Sequence, residues 1–110
     1  NMAVNEYIRV KYGYVYVDPI TDAGPVSKII NESYLKDIED KIVLISVRKH
    51  KSDHLFIAGH HDCAGCPVDD DTQKGYIEEA VDILKKDLKD IKVTGIFIDG
   101  DFNIKVVKEV

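Results

Sequence analysis

Residues 54–66 read His54-Leu55-Phe56-Ile57-Ala58-Gly59-His60-His61-Asp62-Cys63-Ala64-Gly65-Cys66. The first five form an apolar run of strand length, and a loop crowded with two histidines and two cysteines follows directly. The chain has no other cysteine. The spacing therefore predicts a buried strand over 54–58 whose carboxyl end opens into a loop able to bind metal, exchange disulfides or simply pack.

Outward from this stretch the sequence alternates helices and strands. On the amino-terminal side, a helix is expected from Met2 to Tyr12, stopped by Gly13. A short aromatic strand follows at Tyr14-Val15-Tyr16-Val17, and Asp18 to Pro25, with two prolines and a glycine, forms a loop. A helical turn at 26–31 precedes a helix from Tyr34 to His50, with Ser33 as N-cap and Leu35, Ile38, Ile42 and Ile45 at helical spacing. On the carboxyl-terminal side, Asp71 or Thr72 caps a helix whose Ile77, Ala80, Val81, Leu84 and Leu88 make one apolar stripe. A strand at Lys92–Ile98, a turn at Asp99-Gly100 and an antiparallel edge strand at Ile104–Val107 complete the pattern. This is the signature of an α/β domain with a mostly parallel sheet flanked by helices in three layers.

At 110 residues, the chain is read as a single domain, residues 1–110. Hydrophobic residues at 45% and charged residues at 32% mark a globular composition. The apolar runs fall far short of the ~20 residues that cross a bilayer. A net charge of −5 with dispersed acidic residues argues against nucleic-acid and anionic-membrane partners. The basic cluster Arg48-Lys49-His50-Lys51 is read as serving a helix C-terminus. No signal peptide is apparent, and the expectation is a cytoplasmic protein in which two close cysteines serve metal or redox chemistry rather than a disulfide scaffold.

In open α/β sheets ligands bind beyond the carboxyl ends of strands, so the 18–25 and 59–71 loops are expected to border one cleft. Zinc takes tetrahedral nitrogen and sulfur ligands at about 2.0 to 2.3 Å. His60 and Cys63 are spaced to face one point where a strand turns into a loop, with Gly59 clearing the turn. Cys66 is the nearest third ligand, with His61 or one of Asp69, Asp70 and Asp71 as weaker alternatives. The bland readings stand beside these: Cys66 as a small buried residue, His61 as a solvent-facing loop residue, His50 and His54 as solvated, the three aspartates as partners of a helix N-terminus, and Tyr12, Tyr14 and Tyr16 as packing or subunit-contact residues.

The segment Gly59-His60-x-Asp62-Cys63-Ala64-Gly65 after an apolar strand resembles the second zinc motif of the β-class carbonic anhydrases. Together with Val17-Asp18-x-Ile20-Thr21-x-x-Gly24-Pro25 upstream, it is similar to a family of short prokaryotic carbonic anhydrase-like proteins over nearly the whole chain. The resemblance implies His60 and Cys63 as zinc ligands and Ala23 and Gly24 as cleft lining; beside it, the spacing offers Cys66 as a further ligand, and Asp62 or His61 as residues that support the metal ligands or carry protons out. It implies reversible hydration of carbon dioxide to bicarbonate, and a homodimer. The β-class enzymes also carry an upstream Cys-x-Asp-x-Arg, which this sequence lacks. The expectation is that the motif and a first strand precede Met2 in the gene product; otherwise Cys66 replaces the absent thiolate. The alternatives are a non-catalytic zinc-binding relative and a thiol redox protein using Cys63 and Cys66.

Overall fold

The computed structural model describes residues 2–14, 36, 39–40, 53–64 and 67–110. They form, in chain order, helix α1 (Met2–Tyr12), strand β1 (His54–His60), helix α2 (Asp70–Asp87), and strands β2 (Lys92–Ile98) and β3 (Ile104–Glu109). The expected strand at 14–17, the loop at 18–25, the turn at 26–31 and the basic cluster at 48–51 lie outside the described residues, apart from Tyr14, which is in no regular element. Of the expected 34–50 helix, Lys36, Glu39 and Asp40 are described, and all three are helical.

β2 is the middle strand of the described sheet. It pairs parallel with β1, from His54 opposite Lys92 to His60 opposite Ile98. It pairs antiparallel with β3, with a register shift at Gly95/Ile96. Among the described residues the sheet is therefore mixed, and the expected antiparallel C-terminal strand is present, extended to Glu109. Parallel neighbours need a crossover, and α2 supplies it.

Alternation along β1 sends Leu55, Ile57 and Gly59 to one face and His54 and Phe56 to the other. α2 covers the first face with the stripe read from the sequence: Ile77, Ala80, Val81 and Leu84 are fully buried and pack with Ile57, Val93 and Phe97 into one core. Two glycines make this close approach possible. A Cβ on Gly95 would lie 2.5 Å from Ile77 Cγ2 and 2.7 Å from Val81 Cγ2, and one on Gly59 would lie 2.9 Å from Ile77 Cδ1.

The second face carries a polar and aromatic cluster. Tyr12 meets His54 and Phe56 edge-on, with ring centroids 5.3 and 5.0 Å apart, and the rings of His54 and Phe56 stack at 4.0 Å. His54 Nδ1 bonds the Tyr14 hydroxyl at 2.8 Å, Nε2 bonds Thr94 Oγ1 at 2.7 Å, and Thr94 donates to Glu109 at 2.8 Å. The His54 side chain is 2% exposed, so its reading as a solvated residue is corrected. Burial, foremost, pushes its pKa below the ordinary histidine value, and Lys92 adds to the shift. Tyr12 and Tyr14 are packing residues, as one of the two readings had it.

Gly13 ends α1 with a φ of 74°, the left-handed conformation that glycine adopts at no steric cost. At the other end of the chain, Asp99 Oδ1 accepts from the backbone N–H groups of Asp101 and Asn103, both at 2.9 Å, which closes the expected hairpin between β2 and β3.

Candidate metal centre

The parallel pairing brings the carboxyl ends of β1 and β2 together. β1 runs two residues beyond the expected Ala58, because the ladder continues through Gly59 opposite Phe97 and His60 opposite Ile98. The His61 N–H then donates to the Ile98 carbonyl at 2.8 Å. His60 is consequently the last residue of a strand rather than the second residue of a loop. The chain turns at Asp62, which is exposed and has a φ of 54°.

His60 is exposed, and its backbone is held on the side away from β2. Its N–H donates to Gln73 Oε1 at 2.9 Å, and its carbonyl accepts from Gln73 Nε2 at 2.8 Å. Its ring Nδ1 lies 3.0 Å from the His61 carbonyl. A carbonyl only accepts, so Nδ1 carries a proton, and in the neutral ring Nε2 then holds the lone pair with which histidine binds metals. Three residues on, Cys63 is a free thiol, 8% exposed.

His61 points elsewhere. Its Nδ1 pairs with Asp70 at 2.8 Å, and this hydrogen bond raises its pKa above the ordinary value. Asp69 is the N-cap of α2, accepting from the Thr72 N–H at 2.7 Å, and Asp70 and Asp71 occupy the first turn. The helix thus starts ahead of the expected cap at Asp71 or Thr72. With three successive aspartates any one could cap, and only the backbone turn selects Asp69. The acidic run stands at the helix N-terminus, as one of its readings had it.

An open cavity of about 470 Å³ beside the site is lined by His61, Asp62, Val68, Asp69, Asp70 and Asp71. Four of these side chains are acidic, so its field favours cations. The Asp99–Asn103 hairpin closes on the same end: a Cβ on Gly100 would lie 3.3 Å from the His61 ring.

The donor chemistry of His60 and Cys63 suits zinc: an imidazole with a free Nε2 and a thiol from adjacent turns of chain. Among the described residues, however, no group of three or more histidine, cysteine, aspartate or glutamate side chains is arranged to hold a metal ion. Among the described residues His61 instead pairs with Asp70, and Asp69 caps α2. Cys66, Ala23 and Gly24 lie outside the described residues, as does the cleft expected between the 18–25 and 59–71 loops. Gln73 escaped the sequence reading. The signal that could have found it is its register: four residues before Ile77, it sits on the buried stripe, where a polar side chain requires partners.

No helix among the described residues is long and apolar enough to cross a membrane. A family described as "Putative carbonic anhydrase" matches residues 1–108. No curated protein and no solved structure matches the chain.

Proposed function

The chain belongs to the family described as putative carbonic anhydrases, and from that premise we propose that it hydrates carbon dioxide reversibly to bicarbonate at a zinc centre held in part by His60 and Cys63. The observation that carries the reading is the state of His60. At the carboxyl end of a parallel strand, its Nδ1 faces the His61 carbonyl at 3.0 Å, which in the neutral ring makes Nε2 the atom that would meet a metal, three residues before a buried thiol. Zinc, when bound, supplies the Lewis acidity that brings the pKa of water toward ~7.

The chain's own residues do the rest. The hydrogen bond to His61 fixes the His60 ring and its tautomer. Cys63, itself buried, gives the second ligand as thiolate. Cys66, or a cysteine from an upstream Cys-x-Asp-x-Arg, completes the set, and Asp62, exposed at the turn, stands where it can exchange protons with solvent. Ala23 and Gly24 line the substrate side. The full protein is a three-layer β-carbonic anhydrase-like domain, cytoplasmic and homodimeric.

The test is zinc content and carbon dioxide hydration measured together on the gene's full product and on its His60→Ala and Cys63→Ser variants, purified under reducing conditions. Zinc near one per chain with hydration activity, both lost in each variant, is the expected result. Zinc retained by both variants, or a zinc-free wild type, refutes the proposal. Zinc bound at His60 and Cys63 without activity moves the reading to the non-catalytic relative.

A further inference from the structure

We infer that Gln73 is the positioning residue of the proposed metal centre, holding His60 in place through its backbone; the inference rests on the assignment of His60 as a ligand. Gln73 lies in the first turn of α2 and is 1% exposed. It takes the first place on the stripe that continues through Ile77, Ala80, Val81 and Leu84, all at 0%. Every other side chain of that stripe is apolar. A carboxamide there must give up water on all sides, and burial of such a group is tolerated only when its hydrogen bonds are met.

Among the described residues they are met by His60. In a parallel ladder alternate residues direct both backbone groups to the same neighbour. His61 bonds toward β2, so His60 directs its N–H and C=O the other way. There the Gln73 amide accepts from the N–H at 2.9 Å and donates to the carbonyl at 2.8 Å. The side chain thus stands in for a neighbouring strand at the one residue where β1 becomes the site. Gly59 completes the arrangement, because a Cβ at that position would collide with Gln73 Oε1.

The consequence is a ligand held at three points. Two hydrogen bonds from Gln73 fix the His60 backbone, and one to the His61 carbonyl fixes the ring. A ligand so held loses little freedom when metal binds, and partners that orient metal ligands are worth about 10- to 100-fold in affinity. An apolar residue at position 73 would fill the same space but leave the His60 N–H and C=O without these partners. It would leave the strand end free to fray.

The experiment uses the full gene product. Zinc affinity is measured by chelator competition, and the absorption spectrum of the cobalt-substituted protein reports ligand geometry. Urea unfolding of the metal-free protein is followed separately. Gln73→Met keeps the side-chain volume and removes both hydrogen bonds; Gln73→Glu, in its ionised form, keeps an acceptor for the His60 N–H and loses the donor. The expected result is zinc affinity lowered about tenfold or more in Gln73→Met, less in Gln73→Glu, with altered cobalt bands in both. Wild-type affinity and spectrum in either folded variant overturn the inference while leaving the zinc reading intact. A wild type that binds no zinc overturns both. If Gln73→Met does not fold, Gln73→Glu decides alone.

Discussion

A methyl group at position 59 would have no room. Gly59 lies on β1 beneath α2, where an added Cβ would collide with Gln73 Oε1 and sit 2.9 Å from Ile77 Cδ1. Neither neighbour gives way cheaply: Ile77 is fully buried, and moving the Gln73 amide breaks its bonds to His60. Gly59→Ala should therefore destabilise the protein by about 1–3 kcal/mol, the usual cost of overpacking a filled core. Urea unfolding checks this, and hydrogen exchange at the His60 amide should accelerate in the same variant. An unchanged unfolding midpoint would mean that α2 lifts off the sheet without cost. Gly59 was read in the sequence as clearing a turn. The structure gives it a different task, admitting the helix, and that task depends on a residue fourteen positions away.

α2 shows at the scale of an element what pattern reading does well. Its acidic first turn and basic Lys85 and Lys86 in the last turn follow electrostatic rules for helix ends, although the cap is Asp69 and not the expected Asp71 or Thr72. Its apolar stripe names the core. Gly75 is the one residue in it that works against the helix: it is exposed, and nothing lies within 4 Å of an added Cβ. Gly75→Ala should stabilise by roughly 0.5–1 kcal/mol by removing backbone freedom from the unfolded chain. An unfolding midpoint at or below wild type would contradict it. α1, the hairpin and the stripe were legible because each is decided by neighbours a few residues apart. The end of β1 was not, since glycine and histidine have weak strand preference and only pairing with Phe97 and Ile98 extends the strand. His54 looked solvated beside Lys51, Ser52 and Asp53; its burial comes from Tyr12 and Tyr14, some forty residues earlier. For the proposed site, His60 and Cys63 stand out in the sequence by residue type and spacing, whereas Gln73 was hidden because a glutamine in a first helical turn ordinarily faces water.

For the whole molecule two partly buried titrating groups, His54 and Glu39, set opposing pH dependences. His54 is held neutral in the fold, with its pKa lowered chiefly by burial. The unfolded chain takes up its proton near the ordinary value of about 6.5, so below that pH the unfolded state binds more protons and stability falls with falling pH. Glu39 acts the other way. Burial, then a hydrogen bond with the Asp87 carboxyl at the end of α2, push its pKa up to about 7. The fold keeps a proton there that the unfolded chain has lost above its ordinary value near 4.5, so stability falls as pH rises toward 7. His61, raised by Asp70, adds to the second trend, but as a fully exposed group it is screened. Between pH 5 and 7 the two slopes overlap and the wild-type profile should be shallow. Each variant should unmask the other slope. Glu39→Gln should be more stable than wild type at pH 7, by roughly 0.5–1 kcal/mol after solvent screening, and should lose stability on acidification. His54→Gln should show the reverse trend, with stability declining from pH 5 to 7. Urea midpoints at pH 5, 6 and 7 for the three proteins decide it: profiles that run parallel would show that neither group changes its proton affinity on folding. Slopes of opposite sign would locate the chain's pH response at the amino-terminal end of β1 and the carboxyl-terminal end of α2, away from His60 and Cys63.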